Sequence, residues 1–277
     1  MRRFLILSLL ALGHFQAAAQ YYYKDIISNQ SANADMEAYR AQKVRSIRIN
    51  SFESNGAPSE GFFCEKKFSK NYQKAELYTR SSVSSKSLLI SYFNDKGQLV
   101  ESSDSSEIVV NRIRYAYDPE GRISSIVSHL SSSDDDFLTQ HTEEHRYTYD
   151  AAGKPSKMIR IKNHSDSTVI LFSLDESGNV AIEKDSKTGG KYYYYYDTRN
   201  RLTDIVHMNE FKQEMIPDYQ FEYNNANQVV QMMSVEDGGK DYVTWKYQYA
   251  EGLRARERVY SKEGRLLGSI EYEYDKK

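Results

Sequence analysis

The strongest constraint on this chain is a turn that recurs along its length. Phe93-Asn94-Asp95-Lys96-Gly97, Tyr117-Asp118-Pro119-Glu120-Gly121, Tyr149-Asp150-Ala151-Ala152-Gly153 and Leu174-Asp175-Glu176-Ser177-Gly178 share one pattern. Tyr196-Asp197-Thr198-Arg199-Asn200, Tyr223-Asn224-Asn225-Ala226-Asn227 and Tyr260-Ser261-Lys262-Glu263-Gly264 continue it, and Phe52 to Gly56 is an eroded copy. An Asp or Asn side chain accepts a hydrogen bond from the backbone two residues on and so starts a turn. Pro119 suits the type I position whose φ lies at about −65°. The fifth residue must then turn left-handed, as in a type I turn closed by a G1 bulge. Where Gly is missing, Asn200 and Asn227 stand in, and Asn is the next residue able to go left-handed. Self-similarity of this kind decides the architecture ahead of any other signal.

The segments leading into these turns alternate with period two, as half-buried strands do. Ile113, Tyr115 and Tyr117 share a face while Arg112 and Arg114 take the other. His145, Tyr147 and Tyr149 repeat the pattern, as do Tyr219, Phe221 and Tyr223, then Trp245, Tyr247 and Tyr249, then Ile270, Tyr272 and Tyr274. In register these make aromatic ladders, each buried ring contributing roughly 1.5–3 kcal/mol. The expected fold is therefore all-β: an antiparallel hairpin meander forming a strongly curved or partly closed repeat sheet. One rim carries near-identical tight turns. The other carries polar loops of varied length, Asn209 to Asp218 among them. Only Asn29 to Val44 breaks the pattern. With Asn33 as its N-cap and Met36, Tyr39 and Val44 on one face, it reads as a short helix covering a sheet edge.

The Tyr-Asp-x-x-Gly-Arg-Ile and Tyr-Asp-x-x-Asn-Arg-Leu units resemble the YD repeats of the Rhs family of bacterial exported proteins. The likeness runs from about Phe93 to the C-terminus and weakly back to Phe52. In long members such repeats wind a sheet into a hollow shell around a toxic C-terminal domain. The resemblance implies a short member, with the sheet and without a toxin domain.

Residues 1–19 read as a signal peptide: Met1-Arg2-Arg3 is a basic start, Phe4 to Leu12 an apolar run and Ala17-Ala18-Ala19 a cleavage site before Gln20. Residues 20–50 form an N-terminal segment with the helix, and 51–277 the repeat domain. The protein is expected to be secreted or periplasmic, with no membrane span. Cys64 is the single cysteine, so no internal disulfide can form, and a buried strand position suits it. Loss of Arg2 and Arg3 with the leader would take the net charge from −2 to −4. Acidic and basic residues are interspersed, without the basic block that tracks a phosphate backbone, so nucleic acid is not expected as a partner.

No catalytic constellation stands out, and neither an enzyme, a cofactor nor a metal site is expected. His141-Thr142-Glu143-Glu144-His145 has the H-x-x-E-H spacing of a zinc protease, which needs a helix. Here the segment runs into a strand, where His141, Glu143 and His145 share a face and Glu144 points away. Asp134-Asp135-Asp136 lacks the spacing of a calcium loop. His129, His164 and His207 are scattered singly. One run departs from the repeat logic: Tyr192 to Tyr196 are consecutive tyrosines. Tyr192, Tyr194 and Tyr196 take the buried register, which places Tyr193 and Tyr195 on the outward face. Outward aromatics stack on sugars or a partner surface. A non-catalytic binding or scaffold role with a glycan or protein ligand is thus the first reading. A vestigial shell or adhesin fragment with a purely structural role is the second.

Overall fold

The computed structural model describes residues 20–82, 86–106, 109–132, 140–209, 213–236 and 239–276. Residues 1–19, expected to be a signal peptide, and Asp134 to Asp136 lie outside the described residues. The chain forms two compact units, and all the strand pairs described in each are antiparallel. An N-terminal unit holds Tyr21–Asn50, Glu60–Lys191 and Tyr272–Lys277; a C-terminal unit holds Ser51–Ser59 and Tyr192–Glu271.

The N-terminal unit begins with a π-helical stretch, Tyr22–Ile27, that runs straight into α1 (Ser28–Ala41). Its strands are β1 (Val44–Glu53), β2 (Phe63–Phe68), β3 (Lys74–Arg80), β4 (Ser87–Phe93), β5 (Leu99–Ser105) and β6 (Val109–Tyr117). They continue with β7 (Ile123–Ser132), β8 (Gln140–Tyr149), β9 (Pro155–Lys162), β10 (Asp166–Leu174) and β11 (Val180–Asp185). The C-terminal unit holds β12 (Lys191–Tyr196), β13 (Leu202–Asn209), β14 (Glu214–Tyr223) and β15 (Val229–Glu236), then β16 (Asp241–Ala250), β17 (Leu253–Ser261) and β18 (Leu266–Lys276). The last residues of β1 belong to the C-terminal unit and the last residues of β18 to the N-terminal one. There Asn50 Nδ2 of β1 donates to Glu273 of β18 at 2.7 Å.

The turns behave as the repeat requires. Gly97, Gly121, Gly153, Gly178 and Gly264 have φ of 75° to 82°, and Asn200 and Asn227 sit at 59° and 62°. In each, the amide of this fifth residue donates to the carbonyl of the Asp, Asn or Ser that opens the turn, as Gly121 does to Asp118 at 3.0 Å. The opening carboxylate holds the way out as well: Asp118 Oδ1 accepts from Arg122 N at 2.8 Å, and Asp150 Oδ1 from Lys154 N at 2.8 Å. Strand register slips by one residue just before the aromatic, between Ala116 and Tyr117 and between Thr148 and Tyr149, which is the bulge.

That slip frees the tyrosine hydroxyl for a second task. Tyr117 donates to Leu99 O at 2.7 Å, Tyr149 to Ile123 O at 2.7 Å, Tyr223 to Leu202 O at 2.7 Å and Tyr249 to Val229 O at 2.8 Å. Each tyrosine thus bonds to the residue that leaves the preceding turn of its unit. The residue after the Gly position reaches forward: Gln98 donates to Gly121 O, Arg201 to Asn224 O and Gln228 to Gly252 O, at 2.9–3.0 Å. Arg122 and Arg201 also lie over the rings of Tyr149 and Tyr223, at 4.5 and 4.7 Å. Neighbouring turns are therefore laced together in both directions.

The face these tyrosines occupy is the buried one. Ile126, Tyr147, Met158, Ile170 and Phe172 lie inside the N-terminal unit; Tyr194, Ile205, Phe221, Trp245, Val259 and Ile270 lie inside the C-terminal unit. Cys64 is buried on β2 with its thiol 3.4 Å from Thr79 Oγ1.

The helix departs from expectation in two ways. It starts at Tyr22, so Asn33 is mid-helix rather than an N-cap, and Val44 already belongs to β1. It also covers the aromatic face, not an edge: Met36 packs with Ala75, Phe93 and Leu99. Its asparagines are spent on the sheet. Asn33 Oδ1 accepts from Leu99 N at 2.8 Å, and Asn29 bonds to Tyr117 Oη at 2.9 Å. No nearby side chain caps the start of the helix. Glu183, fully buried on β11, accepts from Tyr21 N and Tyr22 N at 3.1 and 2.9 Å instead.

Three substitutions test the turns and their lacing. Tyr149→Phe removes one turn-to-turn bond and should cost about 1 kcal/mol in urea unfolding. Gly121→Ala forces a Cβ into a left-handed site and to 3.2 Å from Gln98 Nε2, and should cost about 1–2 kcal/mol, whereas Asn200→Gly should be near neutral.

Candidate functional site

The tyrosine run lies on β12, and strand alternation sorts it. Tyr192 and Tyr194 are buried, Tyr193 is half-buried and Tyr195 is 50% exposed. Pairing then decides what surrounds the outward pair. Tyr193 stands opposite Val206 of β13, which stands opposite Pro217 of β14. Tyr195 stands opposite Asp204, which faces Gln220, and Gln220 Nε2 donates to Asp204 Oδ1 at 2.7 Å. On the other side of the Tyr193 row, Met208 pairs with Met215, and both are 40% exposed. Tyrosine, valine, methionine and proline thus form one outward apolar area across three strands. Further along the same face the rows turn polar, as in Glu222, Gln231, Lys246 and Arg258.

Reading the sequence picks out Tyr193 and Tyr195 but misses Val206, Met208, Met215 and Pro217. For β13 a signal exists: Ile205 and His207 fall in the buried register, which leaves Val206 and Met208 outward. Met215 and Pro217 fall in the span expected to be a polar loop, Asn209 to Asp218. The structure instead carries β13 to Asn209 and resumes strand at Glu214, because Ile216 is buried and anchors the segment to the core.

The H-x-x-E-H segment belongs to strand β8, so its spacing is not helical. His145 nonetheless stands at the centre of a buried polar cluster in the N-terminal unit. Its Nδ1 lies 2.6 Å from Asp25 of the π-helical stretch and its Nε2 2.8 Å from Glu143. Tyr147 Oη donates to the same Asp25 oxygen at 2.6 Å, and Lys162 stands 3.5 Å from Glu143. Arg160 bonds to Tyr21 Oη and to Thr168 Oγ1, and the Tyr21 ring meets His145 edge-on at 4.9 Å. Burial alone would lower the His145 pKa; the Asp25 and Glu143 carboxylates outweigh it and raise it to about 9. Both imidazole nitrogens are thereby committed to carboxylates and neither offers a lone pair to a metal. Among the described residues no group of three or more His, Cys, Asp or Glu is arranged to hold a metal ion. His129 bonds to Thr142, and His207 to Asp218 beside the Tyr192 ring.

No protein-family model matches the chain, and no curated protein matches it. Solved structures do. A crystal structure of TcdB2-TccC3-TEV is similar over 78% of this chain and 12% of its own, at 12% identity and a TM-score of 0.36. Porin-like proteins from Bacteroides uniformis and Bacteroides vulgatus are similar over 84% of this chain and 98% of theirs. They show 9% and 10% identity and TM-scores of 0.37 and 0.31. This chain spans only a small part of the toxin-complex chain. No helix among the described residues is long and apolar enough to cross a membrane.

The Asp25–His145–Glu143 arrangement has a pH signature. A histidine whose folded pKa lies above its unfolded value of about 6.5 stabilises fully below that value and progressively less as pH rises through the folded one. Unfolding stability should therefore fall between about pH 6.5 and 9, and His145→Gln should flatten that slope in urea titrations at each pH.

Proposed function

We propose that this chain is an exported, non-catalytic β-repeat protein of the YD type. Its antiparallel hairpins act as a scaffold, and the outward face of β12–β14 binds a ligand. The observation that carries this reading is the apolar area formed by Tyr193, Val206, Pro217, Met208 and Met215, with exposed Tyr195 in the next row. Single exposed apolar residues need no explanation, but aromatic and methionine side chains grouped on a flat strand surface mark interaction sites. A protein surface is the first candidate, because tyrosine supplies rigid contact area and paired methionines adapt to a partner's shape. A glycan is the second, favoured by one feature: beside the Tyr195 ring stand Asp204 and Gln220, which offer hydrogen bonds at the edge of a stacking platform. The non-catalytic reading draws support from the buried cluster, whose histidine and carboxylates are consumed by one another and by the helix.

Export draws support from the leader pattern. Cell fractionation with N-terminal sequencing should find the chain outside the cytoplasm beginning at Gln20. Recovery in a salt-resistant membrane pellet would overturn that part. For binding, wild type and a Tyr195→Ser/Met208→Ser variant would be compared on a glycan array and in co-purification from envelope extract. The variant should lose a ligand by at least about tenfold while its urea midpoint moves by less than about 0.5 kcal/mol equivalent, as exposed substitutions do. Unchanged binding in both formats would leave the purely structural role.

A further inference from the structure

A second site stands apart from the tyrosine face, within the N-terminal unit. The junction of α1 with β1 and the turn between β2 and β3 line an open cavity of about 640 Å³. Lys43 and Arg45 line it from the junction; Phe68, Ser69, Lys70 and Tyr72 line it from the turn. That volume lies in the range of small-molecule sites. We propose that this cavity binds an anion of the phosphate type carried on a ring, the charge held by Lys43, Arg45 and Lys70 and the ring by Phe68 and Tyr72.

Charge pairing is the first support. Among the described residues no carboxylate forms an ion pair with Lys43, Arg45 or Lys70. On the same hairpin Lys67 pairs with Glu65 at 2.9 Å and Lys74 with Glu76, while Lys66 lies over the rings of Tyr39 and Phe68 at 5.2 and 5.6 Å. What sets Lys43, Arg45 and Lys70 apart is that all three stand around one cavity. The partial negative charge at the C-terminal end of α1 accounts for Lys43, which follows it directly, but not for Arg45 or Lys70. Arginine and lysine together are the groups that hold phosphate, one by its planar fork and the other as a point charge.

The backbone is the second support. Lys43 and Tyr72 have φ of 57° and 58°, left-handed in residues that carry side chains. Tyr72 N donates to Ser69 O at 2.9 Å, as Gly97 does to Asn94 and Gly121 to Asp118 in the repeat turns. Phe68 to Tyr72 shares this bond, with tyrosine where the repeat turns carry Gly or Asn, but it closes one residue later, through Ser69 N to Lys74 O, and without the bulge. A bulky residue is costly there, and such strain concentrates at binding sites. Its effect is to set the Tyr72 ring 6.1 Å from that of Phe68, as an aromatic wall beside the cations.

Titration calorimetry at low ionic strength, with phenyl phosphate, inorganic phosphate and phenol as probes, tests this on the full chain. Phenyl phosphate should bind with Kd of about 1 mM or tighter, and phenol more weakly by at least about tenfold. A Lys43→Gln/Arg45→Gln/Lys70→Gln variant should weaken phenyl phosphate at least about tenfold, whereas Lys67→Gln, a paired lysine, should leave it unchanged. Thermal melting of each variant guards against loss of fold. Sedimentation with phosphatidylcholine vesicles, with and without phosphatidic acid, separates the sources. Recruitment by phosphatidic acid that the triple variant loses identifies a lipid headgroup; phenyl phosphate binding without recruitment identifies a soluble phosphorylated ring. Phenol binding as tightly as phenyl phosphate, equal affinity in the triple variant, or no binding of any probe would overturn the proposal.

Discussion

The residue that must turn left-handed in each tight turn is the constraint on which this structure hangs. It forces the hairpin to close through a bulge, and the bulge shifts the following register by one residue. That shift places the turn's tyrosine where its hydroxyl reaches the carbonyl leaving the preceding turn, as Tyr117 does to Leu99 and Tyr223 to Leu202. Local backbone chemistry thereby becomes a contact between repeats. The residue after the Gly position returns the contact in the other direction, so Arg122 and Arg201 are parts of the lacing rather than solvated charges. With no disulfide available, this network and the aromatic face beneath it hold the strands in register.

The helix is held by a different device. Its first amides have no local cap and bond instead to Glu183, a buried carboxylate from β11. Asp25 is set against His145 and Tyr147. Buried charges survive only when paired and hydrogen-bonded, and here Asp25, Glu143 and Glu183 each meet a cation or a donor. The cluster explains why an H-x-x-E-H spacing exists here without zinc chemistry: Glu143 and His145 anchor a helix, and Glu144 pairs with Arg146 on the other face.

Much of the strand pattern was legible because period-two burial and turn chemistry are local. Tyr193 and Tyr195 could be assigned outward by counting from buried neighbours. The rest of that surface could not, since Met208 and Met215 meet only through cross-strand register, and Pro217 looked like a loop residue. The cavity beside α1 was invisible for the same reason. Phe68 to Tyr72 lacks the Asp and the Gly that mark the repeat turns, and its neighbours Lys43 and Arg45 come from another part of the chain.

The amino-acid sequence by itself determined the antiparallel hairpins, the identity of the turns and the face each aromatic takes, because these follow from backbone sterics and alternation within a few residues. Tertiary structure alone decided where the helix begins, which face it covers and which side chains meet on the outward surface. Those outcomes depend on groups brought together from distant strands: Glu183 capping Tyr21 and Tyr22, His145 receiving Asp25, and Val206 set between Tyr193 and Pro217. Burying a helix end requires a partner for its amides, and no local pattern reveals that the partner waits on β11.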